Sequence, residues 1–455
     1  MGGSMGAARG LPRDAWLLLL SSFLASLPIG ALLVFFPLYL HDLGLRTLAI
    51  GGIFAAAGLG SSLLLLLIGP LADRFGRRPF LIAGTAAPAL GFAIFALTTD
   101  PGLLVVASML GGVGFSGGLG GSLTTATFNP LLAGTVEPRR RTAVLSWSEG
   151  VWTLSMACGS LAAGVPTLLA HARLASALTA DRALFVGCLL VTLGAALALV
   201  PVRERLAATE AAEAAEAAGA ARRPTPAAPP TSTRPARVPW PLVLRLAVFF
   251  ALQGAGLGLV VQLLPLWFAL SFHAATLAIA PWFAASQLVG LLSIPFVPAL
   301  SRRVGVAGVV VLSLGVSTLL LIGVPLAPTL TVAGAFYVLR SAFVSMQWPA
   351  QLSFLQGAVD PRVRGVVTSV ALGCWSAAMA LSPALTGYFM DRRLLQWPLL
   401  LGVCCYAAAA AWFYLLLRRT PLPEERADEA APVETMLAGT AREPGASTAA
   451  APAAR

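Results

Sequence analysis

The chain is 455 residues long, 58% hydrophobic and only 11% charged, with a mean hydropathy of +0.84. Soluble domains carry about a quarter charged residues and set polar faces at helical period, so a soluble fold is excluded. The net charge of +11 comes from arginine alone, in short clusters between apolar runs with no basic face, which excludes a nucleic-acid binder.

A span needs about 20 apolar residues to cross roughly 30 Å of hydrocarbon. In chain order, apolar runs at about 15–40, 48–69, 79–98, 102–130, 142–166 and 183–201 predict six spans. Six more follow at about 242–268, 275–298, 306–326, 329–357, 366–390 and 395–417. The first run, behind Arg9 and Arg13, is too long for a cleaved signal peptide and reads as a span. Continuous apolar runs without period-2 alternation specify helices and exclude a barrel. Cys158, Cys188, Cys374, Cys404 and Cys405 all fall inside these runs without metal or disulfide spacing, and read as buried free thiols.

The arginines orient the spans. One set of connections holds Arg9 and Arg13, Arg74, Arg77 and Arg78, Arg139 to Arg141, the central linker, Arg302 and Arg303, Arg362 and Arg364, and Arg418 and Arg419. The opposite set has only Arg46, Arg173, Arg182, Arg392 and Arg393. Both termini and the linker are therefore expected in the cytoplasm of a cell (plasma or inner) membrane protein. The expected domains are a six-helix bundle at 1–201, a linker at 202–241, a second six-helix bundle at 242–418 and a disordered tail at 419–455. The linker is Ala/Glu-rich, then Pro-rich, and no folded soluble domain is expected in it.

The halves repeat. Thr47-Leu48-Ala49-Ile50 recurs as Thr276-Leu277-Ala278-Ile279, and at the same offset Leu71, Arg74 and Gly76 meet Leu300, Arg303 and Gly305. Slightly closer in register, Val136, Pro138, Ser146, Gly150, Trp152, Met156 and Gly164 are matched by Val359, Pro361, Ser369, Gly373, Trp375, Met379 and Gly387. An even number of spans separates the copies, so they are parallel repeats, expected to pack about an axis along the membrane normal with a site near the midplane.

Between spans two and three stands Gly69-Pro70-Leu71-Ala72-Asp73-Arg74-Phe75-Gly76-Arg77-Arg78, then Leu81. This string resembles motif A of the major facilitator superfamily at every defined position. The copy ending at Gly305 is degenerate, with Arg302 in place of the acid. The resemblance covers about residues 15–417 and is nearest to the drug- and metabolite-efflux type. It implies an all-α polytopic fold of twelve helices, in two six-helix bundles related by a pseudo-twofold axis. It also implies that Gly69, Asp73, Arg74, Gly76 and Arg77 form a conformational latch. Asp73 would face the start of the eleventh span near Val366 to Ser369, a contact made in one state and broken in the other. Gly76 suits the tight turn.

Two ionisable residues lie well inside spans, Glu149 and Arg340, and such residues are costly in lipid and point to function by default. Arg340 sits about eleven residues into the tenth span, roughly 16 Å deep. Gln347 and Gln351 follow on nearly the same face, an Arg-Gln-Gln stripe suited to a substrate cavity; a structural Arg bonding helix carbonyls is the alternative. Gln253 and Gln262 in the seventh span fall on opposite faces, and Asn129 in the fourth is a further polar candidate for substrate binding. Glu149 is the one acid placed to carry a proton; alternatively it anchors the loop at Arg139, Arg140 and Arg141, or pairs with Arg340. No nucleotide-binding loop, cofactor or metal set is present, and two isolated charges do not make an enzyme. The expectation is an alternating-access secondary transporter exporting small organic molecules in exchange for protons. Its partners would be substrate, protons and the bilayer, and it would act as a monomer. Uptake of a nutrient such as an organic anion or sugar is the alternative, and a non-transporting sensor a weaker one.

Overall fold

The computed structural model describes residues 11–60, 77–111, 127–129, 131–136, 140–174, 176–202, 239–359 and 363–417. Among them it is helical with no strand. The helices are α1 (Arg13–Asp42), α2 (Thr47–Gly60), α3 (Arg77–Leu97), α4 (Pro101–Gly111), α5 (Arg141–Ala162), α6 (Val165–His171) and α7 (Ala177–Leu199). After the linker come α8 (Trp240–Val260), α9 (Leu264–Phe272), α10 (Thr276–Ser293), α11 (Val297–Leu326), α12 (Leu330–Gly357), α13 (Arg364–Asp391) and α14 (Trp397–Trp412).

Eight stretches are long and apolar enough to cross a membrane by length and composition. One of them, Thr276–Leu326, holds two spans, and α2 and α4 are two shorter apolar helices. α12, whose hydropathy is diluted by Arg340, Gln347 and Gln351, is long enough to be another. The architecture is thus consistent with the twelve expected. Leu97, Leu197, Leu292 and Leu319 are all well exposed, which suits an apolar solvent.

Local deviations have local causes. The seventh span is not one helix: it breaks at 261–263, so Gln262 sits in a turn rather than on a helix face. Pro265 lies at the start of α9 and has no N–H to continue the ladder. Gly305 has φ 74° and ψ 164°, a region open only to glycine. It is the repeat partner of Gly76, so the turn demanded of the motif glycine is present in the second copy. The cysteines are free, but only Cys188 is buried; Cys158 and Cys404 lie on the exposed side of their helices, where lipid accepts an apolar thiol without burial.

Packing repeats along with the sequence. α1 pairs with α5 as α8 pairs with α13, and α3 pairs with α7 as α11 pairs with α14. At the centre of the first pairing, a Cβ on Gly30 would lie 2.8 Å from the Met156 carbonyl carbon; at the centre of the second, one on Gly258 would lie 3.1 Å from that of Met379. Met156 and Met379 are repeat partners in the sequence. Small residues let such helices approach backbone to backbone, which supplies dispersion contact where no hydrophobic drive exists between spans.

Candidate functional site

The polar residues of α12 are gathered on one buried face. Arg340, Gln347 and Gln351 are 2%, 4% and 1% exposed. The Arg340 guanidinium lies over the Tyr406 ring of α14, 4.9 Å from its centroid, a contact worth more in a desolvated setting than in water. One turn before it, buried Tyr337 packs on Phe283 of α10, with ring centroids 5.1 Å apart. Ser341 donates to the Ser286 carbonyl of α10 at 2.7 Å. Among the described residues, Arg340 forms no ion pair, and its Nε and one terminal nitrogen have no hydrogen-bond partner. The same holds for both polar atoms of the Gln351 amide and for the Gln347 carbonyl oxygen. A buried cation and amides with open hydrogen-bonding capacity strongly favour a polar guest or water.

Gln253 on α8 and Gln262 in the break after it are also buried, with amide atoms unpartnered among the described residues. Gly256, one turn beyond Gln253, meets the Tyr406 ring, so this face of α8 looks toward α14, as Arg340 does. Asn129 is exposed. Asp73, Arg74, Gly69 and Gly76 lie outside the described residues, and Arg77 is the first residue of α3. Arg78 donates to the Val200 carbonyl at the end of α7, a contact between two elements that both precede the linker.

Glu149 on α5 is exposed, and its carboxylate forms no ion pair among the described residues. It lies seven residues before Met156, hence on nearly the same helix face. Met156 accepts the Gln287 amide of α10 at 3.4 Å. The Glu149 face of α5 is therefore the face turned toward the other half.

The halves meet along two seams. In the first, α5 and α6 run against α10, and a Cβ on Gly164 would lie 3.0 Å from Leu277 Cδ1. In the second, α2 meets α13: Thr47 Oγ1 donates to the Gly387 carbonyl at 2.9 Å. A Cβ on Gly51 would sit 2.9 Å from the Pro383 carbonyl carbon. Gly164 and Gly387 are repeat partners, as are Leu48 and Leu277, so one contact is built twice across the pseudo-axis. Just outside the second seam, the Arg46 guanidinium holds both carboxylate oxygens of Asp391. That hydrogen bond, and then the carboxylate charge, raises the pKa of Arg46.

The sequence profile of the Major Facilitator Superfamily matches residues 18–383. The chain belongs to the Major Facilitator Superfamily. Over 90 residues, 18% of the chain, it is 38% identical to the multidrug resistance protein MdtH of Photorhabdus laumondii, and the match spans 21% of that protein. The crystal structure of a bacterial homologue of the iron transporter ferroportin, in an inward-facing state, superposes with a TM-score of 0.69 at 15% identity, covering 89% of this chain and 98% of that one. The xylose transporter XylE of E. coli, in an inward open conformation, gives 0.66 at 14% identity, covering 91% and 98%. Likeness at such identity carries the fold alone. Membership of the superfamily makes the chain a multi-pass membrane transporter.

Residue reading had missed Tyr406, Tyr337 and the Arg46–Asp391 pair. Aromatic residues inside apolar spans give no signal of their own, and a lone exposed pair across 345 positions is visible only after folding.

Proposed function

We propose that this facilitator exports small organic molecules in exchange for protons by alternating access, with the Arg46–Asp391 end outside and the termini in the cytoplasm. The observation that carries the reading is Glu149. It is an acid inside a span, on the face turned toward the other half, with no ion pair among the described residues. A carboxyl so placed can exchange a proton with whichever side the halves expose. The paired glycine seams support the rocking motion, since small backbone contacts separate and re-form without dragging long side chains. α13 begins with no side-chain cap at Val363, leaving N–H groups there for Asp73 when the opposite end closes. The Arg340, Gln347 and Gln351 face, together with Gln253, is the proposed substrate-binding group, and the aromatic residues Tyr406 and Tyr337 near it suit amphipathic molecules.

Proton movement in everted vesicles, followed with a pH-sensitive dye, tests this. Lipophilic cations, neutral drugs, sugars and organic anions are added in turn to wild type and to Glu149→Gln. Proton release by one class in wild type alone supports antiport through Glu149. Full coupled transport by Glu149→Gln removes the residue from the mechanism.

One observation favours a second reading. Arg340 is buried with no carboxylate partner among the described residues, as expected of a site for an organic anion. Uptake of such an anion would then replace export, and the anion arm of the same assay separates the two.

A further inference from the structure

At the Arg46–Asp391 end the molecule carries a pocket that the transport reading does not use. Its volume is about 440 Å³. α1 supplies Phe35, Leu38, Tyr39 and Asp42, four positions on one helix face. The first turns of α7 supply Leu178 and Asp181, and α6 supplies Pro166. One wall comes from across the linker, from Thr276 at the start of α10.

Three features point to a guest. Asp42 and Asp181 lie close enough for their charges to interact, and two carboxylates in one pocket repel until a cation enters. Tyr39 is 2% exposed, yet its hydroxyl has no hydrogen-bond partner among the described residues, which is costly unless something in the pocket supplies one. The Tyr39 ring also stacks on Phe35, with centroids 5.6 Å apart and planes 23° apart. Two cations stand nearby: His41 reaches Asp42, at 3.9 Å, and Arg182, whose charge reaches Tyr39, is exposed and outside the lining.

The chemistry selects the guest. A bare metal ion wants three or more oxygen or nitrogen side chains, and no such group of His, Cys, Asp or Glu occurs among the described residues. Two carboxylates, a phenol, stacked rings and the walls of Leu38, Leu178 and Pro166 suit an ammonium group on an apolar or aromatic body. We infer that this pocket binds an amphipathic organic ammonium ion, and that it is complete only while the halves touch at this end, because Thr276 belongs to the far half. By linkage, such a ligand stabilises the state closed at this end, whatever the transported substrate is.

The test is equilibrium dialysis of radiolabelled benzylamine against the full chain in lipid nanodiscs at neutral pH, with benzyl alcohol as the uncharged comparator. Saturable benzylamine binding is expected, weakened roughly tenfold or more by Asp42→Asn and by Asp181→Asn. Asp42 is well exposed, so that variant keeps the fold if the other does not. Gly387→Ala, expected to push this end apart, is expected to weaken binding too. Glu149→Gln and Arg340→Gln are expected to leave it unchanged, and no proton movement is needed, so failure of the transport reading does not disturb this result. The inference is overturned if benzyl alcohol binds equally, if both Asn variants bind as wild type, if Glu149→Gln abolishes binding, or if millimolar calcium displaces the amine completely.

Discussion

Gly387→Ala asks whether the α2–α13 seam is a closing contact or mere packing. The added Cβ would fall on the Thr47 carbonyl, 2.9 Å from its carbon and 3.1 Å from Leu48 Cα. An ordinary contact begins near 3.4 Å, so the helices must part by at least about 0.5 Å, and by more at the carbonyl oxygen. All the atoms met are backbone, and no flexible side chain can give way. The Thr47 Oγ1 bond to the Gly387 carbonyl and the Arg46–Asp391 pair stretch with them. Overpacking of this kind costs about 1–3 kcal/mol. If it falls only on the state closed at this end, the equilibrium moves roughly 5- to 150-fold toward the open one. Spin labels at the exposed positions Ala49 and Arg392, in a background lacking the five native cysteines, report the separation of the halves by pulsed dipolar spectroscopy. Gly387→Ala is expected to add or enlarge a longer-distance population. Gly373→Ala, on the same helix with nothing within 4 Å, is the control and is expected to match wild type. Superimposable distance distributions for Gly387→Ala and wild type, with both folded, would mean that the seam is packing alone and not a closing contact.

The Arg46–Asp391 pair is three-quarters exposed on its arginine side, so Arg46→Ala should shift the same populations by about fivefold at most. The exchange Arg46→Asp with Asp391→Arg should restore them, and high salt should blunt the difference. Gly305→Ala places a side chain at φ 74° and ψ 164° and is expected to cost about 1–3 kcal/mol. That loss is read as a lowered unfolding temperature in detergent, against Gly315→Ala, which meets nothing within 4 Å. Arg340→Met keeps the apolar stem and removes the buried charge. If Arg340 serves substrate, stability holds or rises while transport of the preferred substrate falls at least about tenfold; a loss of several kcal/mol in stability with substrate preference unchanged would mark it as structural.

What could be read along the chain was whatever lipid imposes locally. Hydrocarbon thickness requires about twenty apolar residues with their backbone bonds closed within the segment, so α1, α3, α12 and α13 were visible as runs of letters. The TLAI repeat and motif A placed the chain in its superfamily by the same one-dimensional means. Where a span departed from a simple run, the cause was partly visible: Pro265 was in plain sight, yet whether α8 would break there or bend depended on its neighbours.

Arg340 and Glu149 stand out along the chain before any folding, because a charge among apolar neighbours is costly wherever the helix packs. What each one meets was set by how the helices pack. Arg340 turned to Tyr406, sixty-six positions later, and Glu149 took the face toward α10. Asp42, Asp181, Tyr39 and Thr276 are unremarkable at the ends of separate runs and became a pocket only when four helix ends converged. The reason is that span formation is settled within one segment, while a site is settled by the angle and register between segments. In lipid, that register depends on where small residues such as Gly51 and Gly387 let two backbones touch.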